Sequence, residues 1–330
     1  MVTFFKRALT SPAGRACLAL ILVLALGVIF NADGAFLKFG THRDTLRQSS
    51  VLGILACGMT MVIITGGIDL AVGSILAVSA VSFSLLTIHM DWPWWLAVCA
   101  CLFLGSCLGG ISGALVSRAK LQPFIATLAM MTFARGLAKY ITGGQKISTY
   151  LTMPDGQVVI KDLPQIFKSI DSRILGGNLS IVSVIFFVCI AAAWIFLARH
   201  KWGREIYSVG GNEEAARLSG VPVRMTKFLA YAFSGLMCAV AGIAQAAQET
   251  QGDPEAGDKY ELTAIAMVVI GGTSISGGGR GSMGLTLLGV LTIGYLQKIL
   301  SINAVPEAGR LMITGIIIVF AVLTQKRRTK

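Results

Sequence analysis

The stretch Ser49–Met90, SSVLGILACGMTMVIITGGIDLAVGSILAVSAVSFSLLTIHM, carries one formal charge, Asp69, in 42 residues. A bilayer-spanning helix needs about 20 apolar residues. The stretch therefore holds two such segments, meeting at Gly66-Gly67-Ile68-Asp69. An interior glycine costs about 1 kcal/mol relative to alanine in a helix, so the pair marks a break. A charged side chain at the centre of a bilayer costs about 2.5–3.5 kcal/mol on insertion scales. Asp69 must then lie near an interface, find a partner, or face a polar cavity. Two readings stay open. The carboxylate can start the next helix by accepting its orphan N–H groups, or it can contact an ion or a substrate.

The same pattern continues along the chain. Uncharged runs cover 16–32, 92–117, 174–198, 228–248 and 262–279. Of the 330 residues, 55% are hydrophobic and 13% charged, and mean hydropathy is +0.74. Soluble domains carry about 25% charged residues. The fold class expected is all-α: a polytopic membrane protein of about ten transmembrane helices, some short or broken at Gly-Gly, in one domain spanning 1–330. The spans are placed at 16–32, 48–66, 69–89, 93–117, 121–141, 179–198, 227–248, 261–273, 283–300 and 310–325. The N-terminus has the look of a secretory leader, but it reads as a retained first span.

An even number of spans puts both ends on one side. Sixteen of the 28 Lys and Arg residues fall on that side, including six between Arg199 and Lys227, and eight fall in the opposite loops. Basic residues gather on the cytoplasmic side, so both termini are expected there. The net charge of +12 then reflects topology, and no nucleic-acid partner is expected. The longest polar segment, 143–173, belongs on the outer side and contains the turn signal Pro154-Asp155-Gly156. Segment 199–227 belongs inside. Within it, Asn212 is a good N-cap, Glu213 and Glu214 complement a helix dipole, and Gly220-Val221-Pro222 ends the helix. A short capped helix between spans reads as a docking knob.

Several chemistries are missing. No Walker lysine motif occurs, and GGTSISGGGRGS lacks the strand–helix context of a dinucleotide site. The histidines 42, 89 and 200 form no catalytic order. The seven cysteines all lie in apolar runs without zinc spacing. No metal or other cofactor is expected, and no enzymatic activity. Ion-coupled carriers use several intramembrane acids, whereas Asp69 is the only acid within the long runs. The driving energy is expected to come from another subunit, with an ion-coupled secondary transporter of a small polar solute as the alternative. The segments GMTMVIITGGIDLAVGS (58–74) and AIAMVVIGGTSISGGGRGS (264–282) both run into Gly-Gly. They read either as a weak repeat or as two packing seams.

Four ordered strings carry a resemblance: GMTMVIITGGIDLAVGSILA (58–77), QPFIATLAMMTFARGL (122–137), YSVGGNEEAARLSGVPV (207–223) and AGDKYELTAIAMVVIGGTSISGG (256–278). They resemble permease subunits of binding-protein-dependent ABC sugar importers, in the ribose/xylose/arabinose branch and above all its ribose-type members. The resemblance implies a pore of two permease subunits, homodimeric or heterodimeric, in a bacterial inner membrane and in contact with lipid. It further implies a separate ABC ATPase subunit and a periplasmic sugar-binding protein as partners. By it, Asn212, Glu213, Glu214, Ala215, Ala216 and Gly220 form the coupling helix that docks on the ATPase. Gly66, Gly67, Asp69 and Gly73 match the string GGIDL-x-VG. Gln122, Thr127, Gln245, Gln248, Thr273 and Ser274 are the polar candidates for the path of a neutral sugar, which needs weak hydrogen bonds rather than charge. Thr263 departs from the pattern, since the branch commonly has an acid there.

Overall fold

A computed structural model describes residues 11–152, 157–274 and 278–326. The turn Pro154-Asp155-Gly156 lies outside these residues, as do Lys6, Arg7, Arg327, Arg328 and Lys330. In chain order the long elements are α1 (Pro12–Ile29), α2 (Phe39–Ile64), α3 (Val72–Ser84), α4 (Trp94–Ser117) and α5 (Pro123–Thr142). A π-turn, Leu85–His89, extends α3. Then come the hairpin β1 (Tyr150–Thr152) and β2 (Val158–Ile160), helix α6 (Gln165–Asp171), and the hairpin β3 (Arg173–Ile174) and β4 (Leu179–Ser180). They are followed by α7 (Ile181–Arg199), α8 (Lys201–Gly211), α9 (Glu213–Leu218), α10 (Val223–Glu249), α11 (Tyr260–Gly271), α12 (Met283–Ile302) and α13 (Glu307–Lys326).

The chain is an all-α polytopic membrane protein. Eight helices among the described residues are long and apolar enough to cross a bilayer: α1, α2, α3 with its π-turn, α4, α5, α7, α10 and α12. The other two segments read as spans form α11, of 12 residues, and α13, of 20. Helix starts follow local chemistry. Proline opens α1 and α5 at the first position, where its missing N–H costs nothing. Ser11 and Ser282 cap α1 and α12 through their hydroxyls. Side chains such as Ile21, Phe103 and Val188 are 61%, 73% and 61% exposed. Apolar surface on this scale fits a hydrocarbon environment rather than water.

Two compact units divide the chain. The first takes Met1–Gly66, Phe186–Val221 and Leu262–Lys330, and the second takes Gly67–Ile185 and Pro222–Glu261. The chain passes from one to the other between Gly66 and Gly67.

In the first unit, α12 lies against α1 and α2. Thr60 of α2 and Thr286 of α12 share a hydroxyl hydrogen bond of 2.6 Å, and both are fully buried. Such a bond satisfies two hydroxyls at once where water cannot reach. Helix α8 is tied back by Tyr207, whose hydroxyl donates to the Gly281 carbonyl at 3.0 Å.

In the second unit, α10 is the hub, packed on α3, α4 and α6. Its seam with α4 is made of small residues. A Cβ on Gly109 would fall 2.9 Å from Gly235, so glycine there lets the backbones approach closely. Phe167 of α6 stacks on Phe83 of α3, with ring centroids 5.1 Å apart. The described residues of 143–180 thus form two short hairpins around a helix, rooted in this unit.

Candidate functional site: a clamped carboxylate and a capped surface helix

Two places gather the residues singled out by the sequence. The first is the turn 65–71. Gly66 adopts φ +83°, a left-handed conformation that glycine tolerates best, and no atom lies within 4 Å of where its Cβ would be. Three residues later Asp69 is fully buried, with 0% exposure. One carboxylate oxygen accepts the Ala71 N–H at 3.0 Å, and the other accepts the Ser234 hydroxyl of α10 at 2.8 Å. The preceding carbonyl, Ile68, is held from both sides. The Tyr231 hydroxyl of α10 donates to it at 3.3 Å, and on the other side the Thr127 hydroxyl of α5, whose shorter bond of 2.8 Å goes to the Pro123 carbonyl, lies 3.3 Å away. Burying a carboxylate without donors is costly, and each donor here offsets part of that cost. Asp69 therefore starts α3 through an Asx-type bond and ties it to α10.

Gly73 is the second residue of α3, where a Cβ would collide with the Gly257 carbonyl and reach within 3.0 Å of the Glu261 carboxylate. The loop after α10 is fixed by charge. Arg135 of α5 donates to the carbonyls of Pro254 and Ala256 at 2.6 and 2.9 Å. Lys139 pairs with Glu255 and Lys146 with Asp253, both at 2.9 Å. The Asp253 hydrogen bond raises the Lys146 ammonium above its usual range. Gln245 donates to Glu249 one turn further on. It lies eleven residues beyond Ser234, about 16 Å along the helix.

The turn 65–71 thus holds Gly66, Gly67 and Asp69, with Thr127 of α5 beside it and Gly73 just past it, while Gln245 and Gln248 lie further along α10. Gln122 is exposed at the start of α5, and Gln248 is partly buried near the end of α10. Gly66, Thr273 and Ser274 belong to the first unit and Gly67 to the second. Sequence reasoning missed Tyr231, Ser234 and Arg135. The first two stand three apart in YAFSG of α10, a polar pair on one helix face within an apolar run.

The second place is α9, in the first unit. Asn212 accepts the Ala215 N–H at 2.9 Å, as an N-cap should. At the other end Gly220 turns left-handed, φ +81°, its N–H bonding the Arg217 carbonyl at 3.1 Å and the Val221 N–H bonding Ala216 at 3.0 Å. These two bonds make a Schellman motif. Six residues are too few to hold a helix alone, and the double capping is what fixes α9. Only Ala216 faces inward, 5% exposed, while Leu218 is 75% exposed. The Arg217 guanidinium hydrogen-bonds Glu214 at 3.1 Å and holds that carboxyl below the usual range.

A long family match decides what these features belong to. The family described as branched-chain amino acid transport system / permease component covers residues 43–322. The chain belongs to this permease family. Relatives include the ribose import permease protein of Haemophilus influenzae, 39% identical over 94% of this chain and 91% of that protein. The ribose import permease protein of Escherichia coli K12 is 36% identical over 93% and 92%. The xylose transport system permease protein of the same strain is 32% identical over 92% and 89%. A permease is a carrier of solutes through a membrane, which accords with eight long apolar helices among the described residues.

Proposed function

We propose that this permease is the pore-forming, non-catalytic subunit of an ATP-driven importer of a monosaccharide, of the ribose type. It sits in a bacterial inner membrane with both termini in the cytoplasm. A second permease subunit completes the pore, an ABC ATPase docks on α9, and a periplasmic binding protein delivers the sugar.

The observation that carries the reading is α9 itself. It is capped at both ends, displays Glu213, Glu214 and the exposed Leu218, and is anchored through one buried alanine. Such a helix transmits a push without deforming, because its ends cannot fray. The carboxylate of Asp69 accepts the Ala71 N–H and the Ser234 hydroxyl and has no exposed surface. It is built as a structural tie, which agrees with an energy source outside this chain. Sugar names on the relatives support the substrate class, and Gln122, Gln248 and Ser274 are the polar side chains of the path set that retain surface.

The test is reconstitution in liposomes. The chain alone, under a proton or sodium gradient, should accumulate no ribose. Adding the ATPase, the binding protein and ATP should give uphill uptake. Accumulation driven by an ion gradient in the chain alone would overturn the proposal.

A further inference from the structure

A small polar cavity of about 90 Å³ lies in the first unit where α2, α12 and α13 meet. Its volume has room for roughly three waters. Gln48 and Ser49 of α2, Gln297, Lys298 and Ser301 of α12, and Arg310 of α13 line it. Two cations and four neutral hydrogen-bonding side chains surround the space, and no carboxylate does. The Arg310 Nε is buried and has no hydrogen-bond partner. Among the described residues Lys298 makes no ion pair. Ser49, only 4% exposed, lies on the cavity wall. Glu307, one turn before Arg310 on α13, pairs with neither cation.

A buried guanidinium N–H without a partner is costly, and the cost is removed by an acceptor of opposite charge. The wall is rich in donors and lacks a carboxylate. That chemistry selects an oxyanion over a neutral sugar, whose hydroxyls would need acceptors as well. The cavity also lies at helix ends. Ser301 is one residue from the end of α12, and Arg310 is three residues from the start of α13. The face of α13 that carries Arg310 continues with Ile313 and Ile317, both apolar and half-buried. A phosphate at the cavity mouth would therefore have an apolar track below it, as a phospholipid requires.

We propose that this cavity is a phosphate-binding site, filled by the phosphodiester of an anionic lipid headgroup or by free phosphate, and that its occupant fastens α13 to α2 and α12. It is independent of the transport reading above. The experiment follows the thermal unfolding midpoint of the purified full chain at constant ionic strength. One arm titrates inorganic phosphate, and the other titrates phosphatidylglycerol into phosphatidylcholine nanodiscs.

The wild-type chain should show a saturable rise with at least one probe. K298Q/R310Q should weaken that response about tenfold or more, whereas K120Q, which does not line the cavity, should not. Saturation by phosphatidylglycerol alone identifies a lipid site. Saturation by both probes identifies a free-oxyanion site. S301E guards against simple misfolding, since it places a carboxylate beside both cations. It should abolish the probe response while keeping the midpoint at or above that of wild type. A response that is absent in wild type, or unchanged in K298Q/R310Q and S301E, would overturn the proposal.

Discussion

At the scale of single residues, the decisive fact is that a buried carboxylate must be matched donor by donor. Asp69 was visible in the sequence as the one acid of a 42-residue apolar stretch, and a helix-starting role was one of its two readings. Its partner was not visible, because Ser234 is 165 positions away and nothing local marks it. Removing that donor leaves the acid short of a bond inside the protein, a loss of about 1–3 kcal/mol. Ser234→Ala should lower the unfolding midpoint in detergent, and Asp69→Ala should lower it further. Asp69→Asn keeps an acceptor for the Ala71 N–H and should fall between wild type and Asp69→Ala. A fully stable Asp69→Ala chain with altered sugar preference would remove the structural role. Gly66 gives a cleaner case. Nothing crowds its missing side chain, so Gly66→Ala should cost only the left-handed backbone, about 1–2 kcal/mol. Asparagine, which visits that conformation more readily, should cost less in the same unfolding assay.

Among elements, hydropathy placed a helix at each of the ten expected segments because each is an apolar run closed by charge, glycine or proline, and eight of those helices are long and apolar enough to cross a bilayer. It failed where polar residues are helical. Helix α2 begins at Phe39, nine residues before the expected start, since Arg43, Asp44 and Arg47 continue the helix beyond its apolar part. Helix α8 was missed for a related reason: in KWGREIYSVGG charged residues interrupt the inward positions Gly203, Ile206 and Val209, three apart, and Glu205 is buried beside them. Helix α9 was expected from Asn212 and Gly220, and both perform the caps read for them. Its charges invite a test that separates folding from docking. Glu214→Arg breaks the pair with Arg217 and also reverses the sign displayed outward. The swap Glu214→Arg with Arg217→Glu restores the pair but not the display. If α9 docks on an ATPase, both proteins should insert normally and lose ATP-driven uptake. Recovery of uptake by the swap would mean the pair matters only within α9. The pair's pH dependence has a defined sign. The folded carboxyl lies below its ordinary 4.5, so its stabilisation is complete above that value and is lost only as pH falls below it. Corrected amide exchange over Ala215–Gly220 should therefore be the same at pH 7 and near 5, and a marked loss of protection in that interval would contradict it.

For the whole molecule, the distribution of charge makes a claim about sides that single helices cannot make. One long apolar helix, Ile181–Arg199, separates segment 143–173 from α9. If it crosses the bilayer, those two polar regions face opposite compartments whatever the other helices do. The basic excess assigns them. Segment 199–227 holds six Lys and Arg against three Glu, and segment 143–173 holds four against three Asp. Positive charge is retained on the cytoplasmic side, so the proposed function puts α9 where ATP is and turns the two hairpins around α6 toward the proposed periplasmic partner. Cysteines introduced at Ser169 and Ser219, both exposed, should report this with a membrane-impermeant maleimide, using the wild-type chain for background. Ser169→Cys should react in intact, right-side-out cells, and Ser219→Cys only in inverted vesicles. Labelling of both from one side would mean that Ile181–Arg199 does not cross. Labelling from opposite sides in the reverse sense would keep the crossing but place α9 away from any cytoplasmic ATPase, and the docking role would fall with it.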